Sequence, residues 1–105
     1  MRQIVLFGLE EELAGLLCIA LHNESIRIES EIERIGDVPA DLVLSPFSAD
    51  LVSLLNAVSA PVVVVTRHKQ TDEYIDAMEA GAADYCVAPF QPKQLLATLK
   101  DRRNG

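Results

Sequence analysis

The sequence predicts a single α/β domain over residues 1–105, a doubly wound sheet of five parallel strands with helices on both faces. Three observations lead there. Short apolar, β-branched runs alternate with helical patterns along the whole chain. No repeat, low-complexity tract or linker interrupts the alternation. A length of 105 residues supplies one core and is too short for two. Right-handed crossovers between such strands favour the order 2-1-3-4-5.

The elements follow in order. Ile4–Phe7 reads as a buried first strand. Residues 10–21 form a helix with Leu13, Leu16, Leu17, Ala20 and Leu21 spaced along one buried face. Glu10, Glu11 and Glu12 suit the positive end of its dipole. Ser25–Glu29 alternates with Ile26 and Ile28 inward, giving the second strand. Glu31–Ile35 leaves room for only a turn or two before Gly36, so the second helix is shortened. Leu42–Ser45 is the third strand, and Ala49–Val58 a short helix that Ser48 is placed to cap. Pro61–Thr66 is the β-branched run of a central parallel strand. Thr71 is placed to cap the fourth helix, which carries Ile75 and Met78 and stops at Ala80-Gly81, with Gly81 in the left-handed position. Tyr85–Ala88 is the fifth strand. Pro92 opens the fifth helix, which turns Leu95, Leu96 and Leu99 inward.

Composition narrows the function classes. The chain is 50% hydrophobic and 24% charged, an ordinary globular balance. A net charge of −7 argues against a nucleic-acid surface, which needs clustered Lys and Arg. The one basic cluster, Lys100, Arg102 and Arg103, closes a helix, where the dipole favours it. The longest apolar runs, such as Pro61–Val65, are too short to span a bilayer, and no signal-peptide pattern opens the sequence, so a cytoplasmic location without membrane contact is expected. Cys18 and Cys86 lie in apolar segments and read as buried small hydrophobes rather than a disulfide. His22 and His68 lack metal-ligand spacing and read as surface residues. There is no glycine-rich phosphate loop and no G-x-S-x-G, so no catalytic residue, cofactor or metal is expected.

Two blocks carry a family resemblance. Pro-Val-Val-Val-Val-Thr at 61–66 and Ala-Gly-Ala-Ala-Asp-Tyr-Cys-Val-Ala-Pro-Phe at 80–90 resemble the fourth strand and the GA-x-x-Y-x-x-KPF block of response-regulator receiver domains. The spacing between them fits without a gap. Residues 4–7 and 41–45 agree with the family's first and third strands in pattern. The resemblance implies a flavodoxin-like sheet order and a phosphoryl-accepting site at the strand ends. Carried over by position, the family's acidic pair falls on Gly8 and Leu9, its phospho-accepting Asp on Pro46, and its lysine on Ala88. Only the hydroxyl, at Thr66, remains. The resemblance thus implies a degenerate receiver, a signalling module that works independently of phosphorylation.

It further implies a cis Ala88–Pro89 bond. The contact surface it implies, for a protein partner or a homodimer, is formed by the fourth helix, fifth strand and fifth helix. On this chain that means Tyr74, Met78, Tyr85 and the outward side of Lys93–Lys100. Tyr85 stands at the family's rotating aromatic position and is expected in one fixed pose. Some residues keep two readings. Glu10, Glu11 and Asp50 are either an acidic rim that attracts a cation or ordinary charged helix starters. Thr66 is either a remnant switch hydroxyl or one satisfied by neighbouring backbone, and Ser45 reads as a packed, hydrogen-bonded hydroxyl. Two functions compete with the interaction module: a small-ligand or cation sensor using Thr66, Glu10 and Asp50, and a rearranged phosphotransfer protein.

Overall fold

The computed structural model describes residues 2–22, 26–29 and 40–104. Its strands are β1 (Arg2–Leu6), β2 (Ile26–Glu29), β3 (Leu42–Ser45), β4 (Val62–Thr66) and β5 (Asp84–Val87). Its helices are α1 (Glu11–Ala20), α2 (Leu51–Ala57), α3 (Thr71–Ala80) and α4 (Pro92–Asn104). The shortened helix expected at Glu31–Ile35 lies outside the described residues, so α3 and α4 are the fourth and fifth helices of the sequence reading.

All strand pairings are parallel and the order is β2-β1-β3-β4-β5. Ile4 aligns with Ile28 on one side and Leu42 on the other; Val64 aligns with Ser45 and Tyr85. Alternate residues along each strand feed opposite cores. Ile4, Leu6, Leu42, Leu44, Val63, Val65 and Cys86 pack with Leu13, Leu17 and Leu21 from the first helix and Leu95 from the last. Val5, Val43, Val62, Val64 and Tyr85 pack on the opposite face with Leu51 and Leu54 of α2 and Ala77 of α3. Burial on both faces is why these strands read as continuous apolar runs. Each fully buried Val or Leu contributes on the order of 1.5–3 kcal/mol. Edge strand β2 is less covered, and Ile26 and Ile28 pack inward against the α1 side.

The structure corrects several local expectations. Leu16 is 40% exposed and Cys18 is also exposed, whereas Cys86 is buried. The helix is apolar from Leu13 to Leu21, so its pattern could not select one face. The sheet fully buries the Leu13, Leu17 and Leu21 stripe, and Ala14 and Ala20 pack beside it. Thr71 is the first helical residue of α3; Gln70 takes the cap position without a side-chain bond. Ser48 sits two residues before the Asp50 cap position of α2. Its hydroxyl accepts the Asp50 N–H at 3.3 Å and its carbonyl the Leu51 N–H at 3.1 Å. Ala77 and Ala80 seat α3 close to the sheet, leaving Tyr74, Ile75 and Met78 exposed. Gly81 closes α3 at φ +116°, and the Ala82 N–H reaches back to the Ala77 carbonyl at 3.1 Å.

Two leucines test the seating of α1. Leu17→Ala is expected to cost about 2–5 kcal/mol in urea unfolding, and Leu16→Ala less than about 1 kcal/mol. Equal losses would show that the helix is rotated from the orientation described.

Candidate functional site at the carboxyl ends of the strands

Because every strand is parallel, the loops after β1, β3, β4 and β5 meet at one end of the sheet. Between β1 and β3 the chain leaves toward opposite faces, α1 on one and α2 on the other, and such a switch point opens a crevice. Gly8 and Pro46 form its floor. Gly8 has φ +75°, and a Cβ placed on it would stand 3.8 Å from the Pro46 Cδ. They divide the crevice into two clefts. One, of about 390 Å³, is lined by Gly8, Glu10, Pro46, Thr66, Arg67 and Glu73 among others. The other, of about 210 Å³, is lined by Phe7, Gly8, Ser45, Pro46, Ser48, Asp50 and Leu54.

The structure thus brings Gly8, Pro46 and Thr66 together. Ala88 joins them through the backbone, its N–H donating to the Thr66 carbonyl at 2.9 Å, and the Ala88–Pro89 bond is cis. Leu9 does not face the clefts; it packs against the α1 side of the core. The Thr66 hydroxyl donates to the His68 carbonyl at 3.2 Å and accepts the His68 N–H at 3.3 Å. Its local backbone therefore satisfies it. Ser45 is buried with its hydroxyl on the Pro46 carbonyl at 3.1 Å.

The acidic residues do not converge. Glu10 lines the larger cleft, Asp50 the smaller, and Glu11 is exposed and lines neither. A residue the sequence reading passed over, Arg67, answers the acids of α1. Its Nη1 lies 2.8 Å from Glu12 Oε2 and its Nη2 lies 3.3 Å from Glu10 Oε1. These side chains are largely solvated, so each pair is weak alone; one guanidinium fork nonetheless ties the β4–α3 loop to the start of α1. Parallel topology puts the residues after β1 and β4 at the same end of the sheet, and that was the available signal. Among the described residues no cluster of three or more His, Cys, Asp or Glu is placed to hold a metal. His22 and His68 are exposed.

Beside the larger cleft, Tyr85 is buried and its ring stacks on Tyr74, with centroids 5.5 Å apart and planes 9° from parallel. Its hydroxyl donates to Glu73 Oε1 at 3.2 Å and accepts the Gln70 N–H at 3.5 Å. Lys69 Nζ stands 5.5 Å from the Tyr74 ring centroid. Burial raises the Tyr85 phenol above 10.0; the Gln70 N–H opposes the rise and the Glu73 carboxylate adds to it. On the next residue, burial and then the Asp84 carboxylate push the Cys86 thiol up to about 12, so it is a poor nucleophile. Tyr74 and Met78, on α3, are exposed.

No family model matches the chain. Over 40 residues, 37% of the chain and 9% of the relative, it is 58% identical to the alginate biosynthesis transcriptional regulatory protein AlgB of Pseudomonas syringae. It is 31% identical over 102 residues, 90% of the chain, to the phosphate regulon transcriptional regulatory protein PhoB of Pseudomonas aeruginosa, and spans 44% of that protein. The chain therefore matches less than half the length of either regulator. In fold it is similar to a two-component response regulator from Clostridium difficile, with a TM-score of 0.78, 20% identity and full coverage of both chains. Among the described residues no helix is long and apolar enough to cross a membrane.

The Tyr85 environment sets a pH dependence. Its folded value lies above its unfolded one, so the stability it contributes is complete below about pH 10 and is lost as pH rises through the folded value. In Tyr74→Phe, which leaves Tyr85 as the sole tyrosine, phenolate absorbance should rise with a midpoint above 10. Adding Glu73→Gln should bring the midpoint down. A midpoint unmoved by that second change would remove Glu73 from the account.

Proposed function

We propose that this chain, by fold and sequence similarity a domain of the two-component response-regulator receiver type, is a phosphorylation-independent protein-interaction module and not an enzyme. Pro46 carries the reading. It stands at the end of β3, where the receiver resemblance puts the accepting carboxylate, and its ring offers neither a nucleophile nor a metal ligand. Phosphoryl transfer depends on positioning and on neutralising charge, and each part has a chemical requirement. Gly8 and Leu9 bring no carboxylate and Ala88 no ammonium. Thr66 keeps its hydroxyl, which is engaged by the His68 backbone.

The interaction surface in this reading is the α3–β5–α4 side. Tyr74 and Met78 project from α3, Tyr85 lies beneath Tyr74, and Lys93 is exposed on α4. Around the apolar groups α3 carries exposed Asp72, Asp76 and Glu79. A partner protein presenting apolar and basic side chains complements that face, and a second acidic copy of α3 does not. The cation-sensor alternative has less support, because Glu10 is paired with Arg67 and Asp50 lines the other cleft.

Incubation with acetyl phosphate, or with beryllium fluoride, plus Mg²⁺ is expected to leave mass, melting temperature and amide spectra unchanged. Pro46→Asp alone should stay inert, since it restores neither the metal ligands nor the lysine. A mass gain of one phosphate on a carboxylate of the native chain would sink the reading and favour a rearranged phosphotransfer protein. Amide shifts with Mg²⁺ or Ca²⁺ alone would point to the cation sensor.

A further inference from the structure

Four residues join β4 to α3, and each is held by a different part of the molecule. Arg67 reaches α1, with Nη1 2.8 Å from Glu12 Oε2 and Nη2 3.3 Å from Glu10 Oε1. His68 is held at both backbone groups, its N–H donating to the Thr66 hydroxyl and its carbonyl accepting from it. Lys69 places its Nζ 5.5 Å from the Tyr74 ring centroid. Gln70 holds both tyrosines through its backbone. Its N–H donates to the Tyr85 hydroxyl at 3.5 Å, and its carbonyl accepts the Tyr74 N–H at 2.9 Å. The first helix packs on one face of the sheet; Tyr85, with Tyr74 stacked on it, packs on the other. The loop therefore runs from a charged grip on one face to an aromatic pair on the opposite one.

We propose that this loop is a strap coupling the two faces: the grip of Glu10 and Glu12 on Arg67 helps set the pose of the Tyr74–Tyr85 pair, and engaging or screening those carboxylates loosens it. Each tie is weak alone, because the ion pairs are solvated and the Gln70–Tyr85 bond is long. The order of so short a segment depends on its ties jointly, so losing one raises the opening of the whole. Control enters from the α1 end. The Glu10 and Glu12 side chains are 57% and 68% exposed, whereas Tyr85 is buried and the Thr66 hydroxyl is engaged. Where the α3–β5–α4 surface serves a partner, the strap regulates that surface, and this step alone rests on the proposed function. The strap itself is a property of the free chain.

Solvent-exchange NMR follows the His68 and Gln70 amides, and ring-to-ring NOEs follow Tyr74 and Tyr85. Arg67→Gln is expected to speed exchange at both amides roughly two- to tenfold, the range that two solvated ion pairs supply, and to weaken the ring NOEs. Glu10→Gln with Glu12→Gln, which acts on the loop through Arg67, should do the same. Combining all three changes should add nothing further, as members of one network require. Raising NaCl to about 0.5 M should move the native chain toward the Arg67→Gln values and leave Arg67→Gln itself unchanged. Glu11→Gln, on the same exposed turn but not paired with Arg67, should alter neither reading. Loop amides and ring NOEs that ignore the double carboxylate change would overturn the proposal. So would effects of the Arg67 and carboxylate changes that simply add, or an equal loosening by Glu11→Gln, which would make fraying of α1 the cause. Every reading is taken on the free chain without a phosphodonor, so its failure is distinct from failure of the proposed function.

Discussion

A parallel strand covered on both faces has no position along its length for a solvated polar side chain. In this protein β3 and β4 obey that constraint almost completely. Leu42, Val43 and Leu44 are fully buried, as are Val63 and Val64. The polar exceptions, Ser45 and Thr66, stand at the carboxyl ends, where the strands run out into loops. The polar side chains of these two strands are thereby displaced to one rim of the sheet. Right-handed crossovers then send α1 and α2 to opposite faces and open the crevice between Gly8 and Pro46. The site is a consequence of the sheet, and its content depends on a few residues per loop.

What those loops contain is mostly self-satisfied. Thr66 bonds the backbone two residues on, and Ser45 bonds the carbonyl beside it. Arg67 draws the Glu10 and Glu12 carboxylates to itself. Buried Tyr85 finds Glu73 and the Gln70 N–H, and Tyr74 covers its ring. A binding rim usually retains polar groups aimed into an opening without partners. Here Glu10, Thr66, Arg67 and Glu73 at the edge of the larger cleft already have them, which weakens its claim to a ligand and strengthens that of the helical surfaces. This supports an interaction module over a sensor, within the proposed reading.

The sequence made strands more legible than helix faces, for a physical reason. A run such as Val62–Val65 has one fate, because only a strand covered on both sides buries every residue of it. Grouping Gly8, Pro46 and Thr66 was legible in the same way, since strand ends in a parallel sheet coincide. The orientation of α1 was not, because Leu16 and Leu17 are equally apolar and only the sheet distinguishes them. Charge pairing across loops was also hidden. Glu12 and Arg67 are far apart in sequence, and nothing local to either announces the other. Glu10 and Asp50 looked like one rim because both follow strands, yet Gly8 and Pro46 stand between their clefts. Leu9 shows a further limit: position in a loop does not say whether a side chain turns toward the crevice or the core.

The ambiguity of α1 is itself informative. Single exposed apolar residues are ordinary on any protein surface. A helix whose pattern could be read with either face inward is different, because the fold consumes only one stripe of it. Leu16 and Ile19 add little to the stability of a lone domain, and they carry the cost of apolar surface held in water. Gly15 compounds this, since glycine in a helix interior is less favourable than alanine and no neighbour here requires its small size. The same sheet that displaces the polar ends of its central strands to one rim therefore leaves surplus apolar surface on the outward face of a helix.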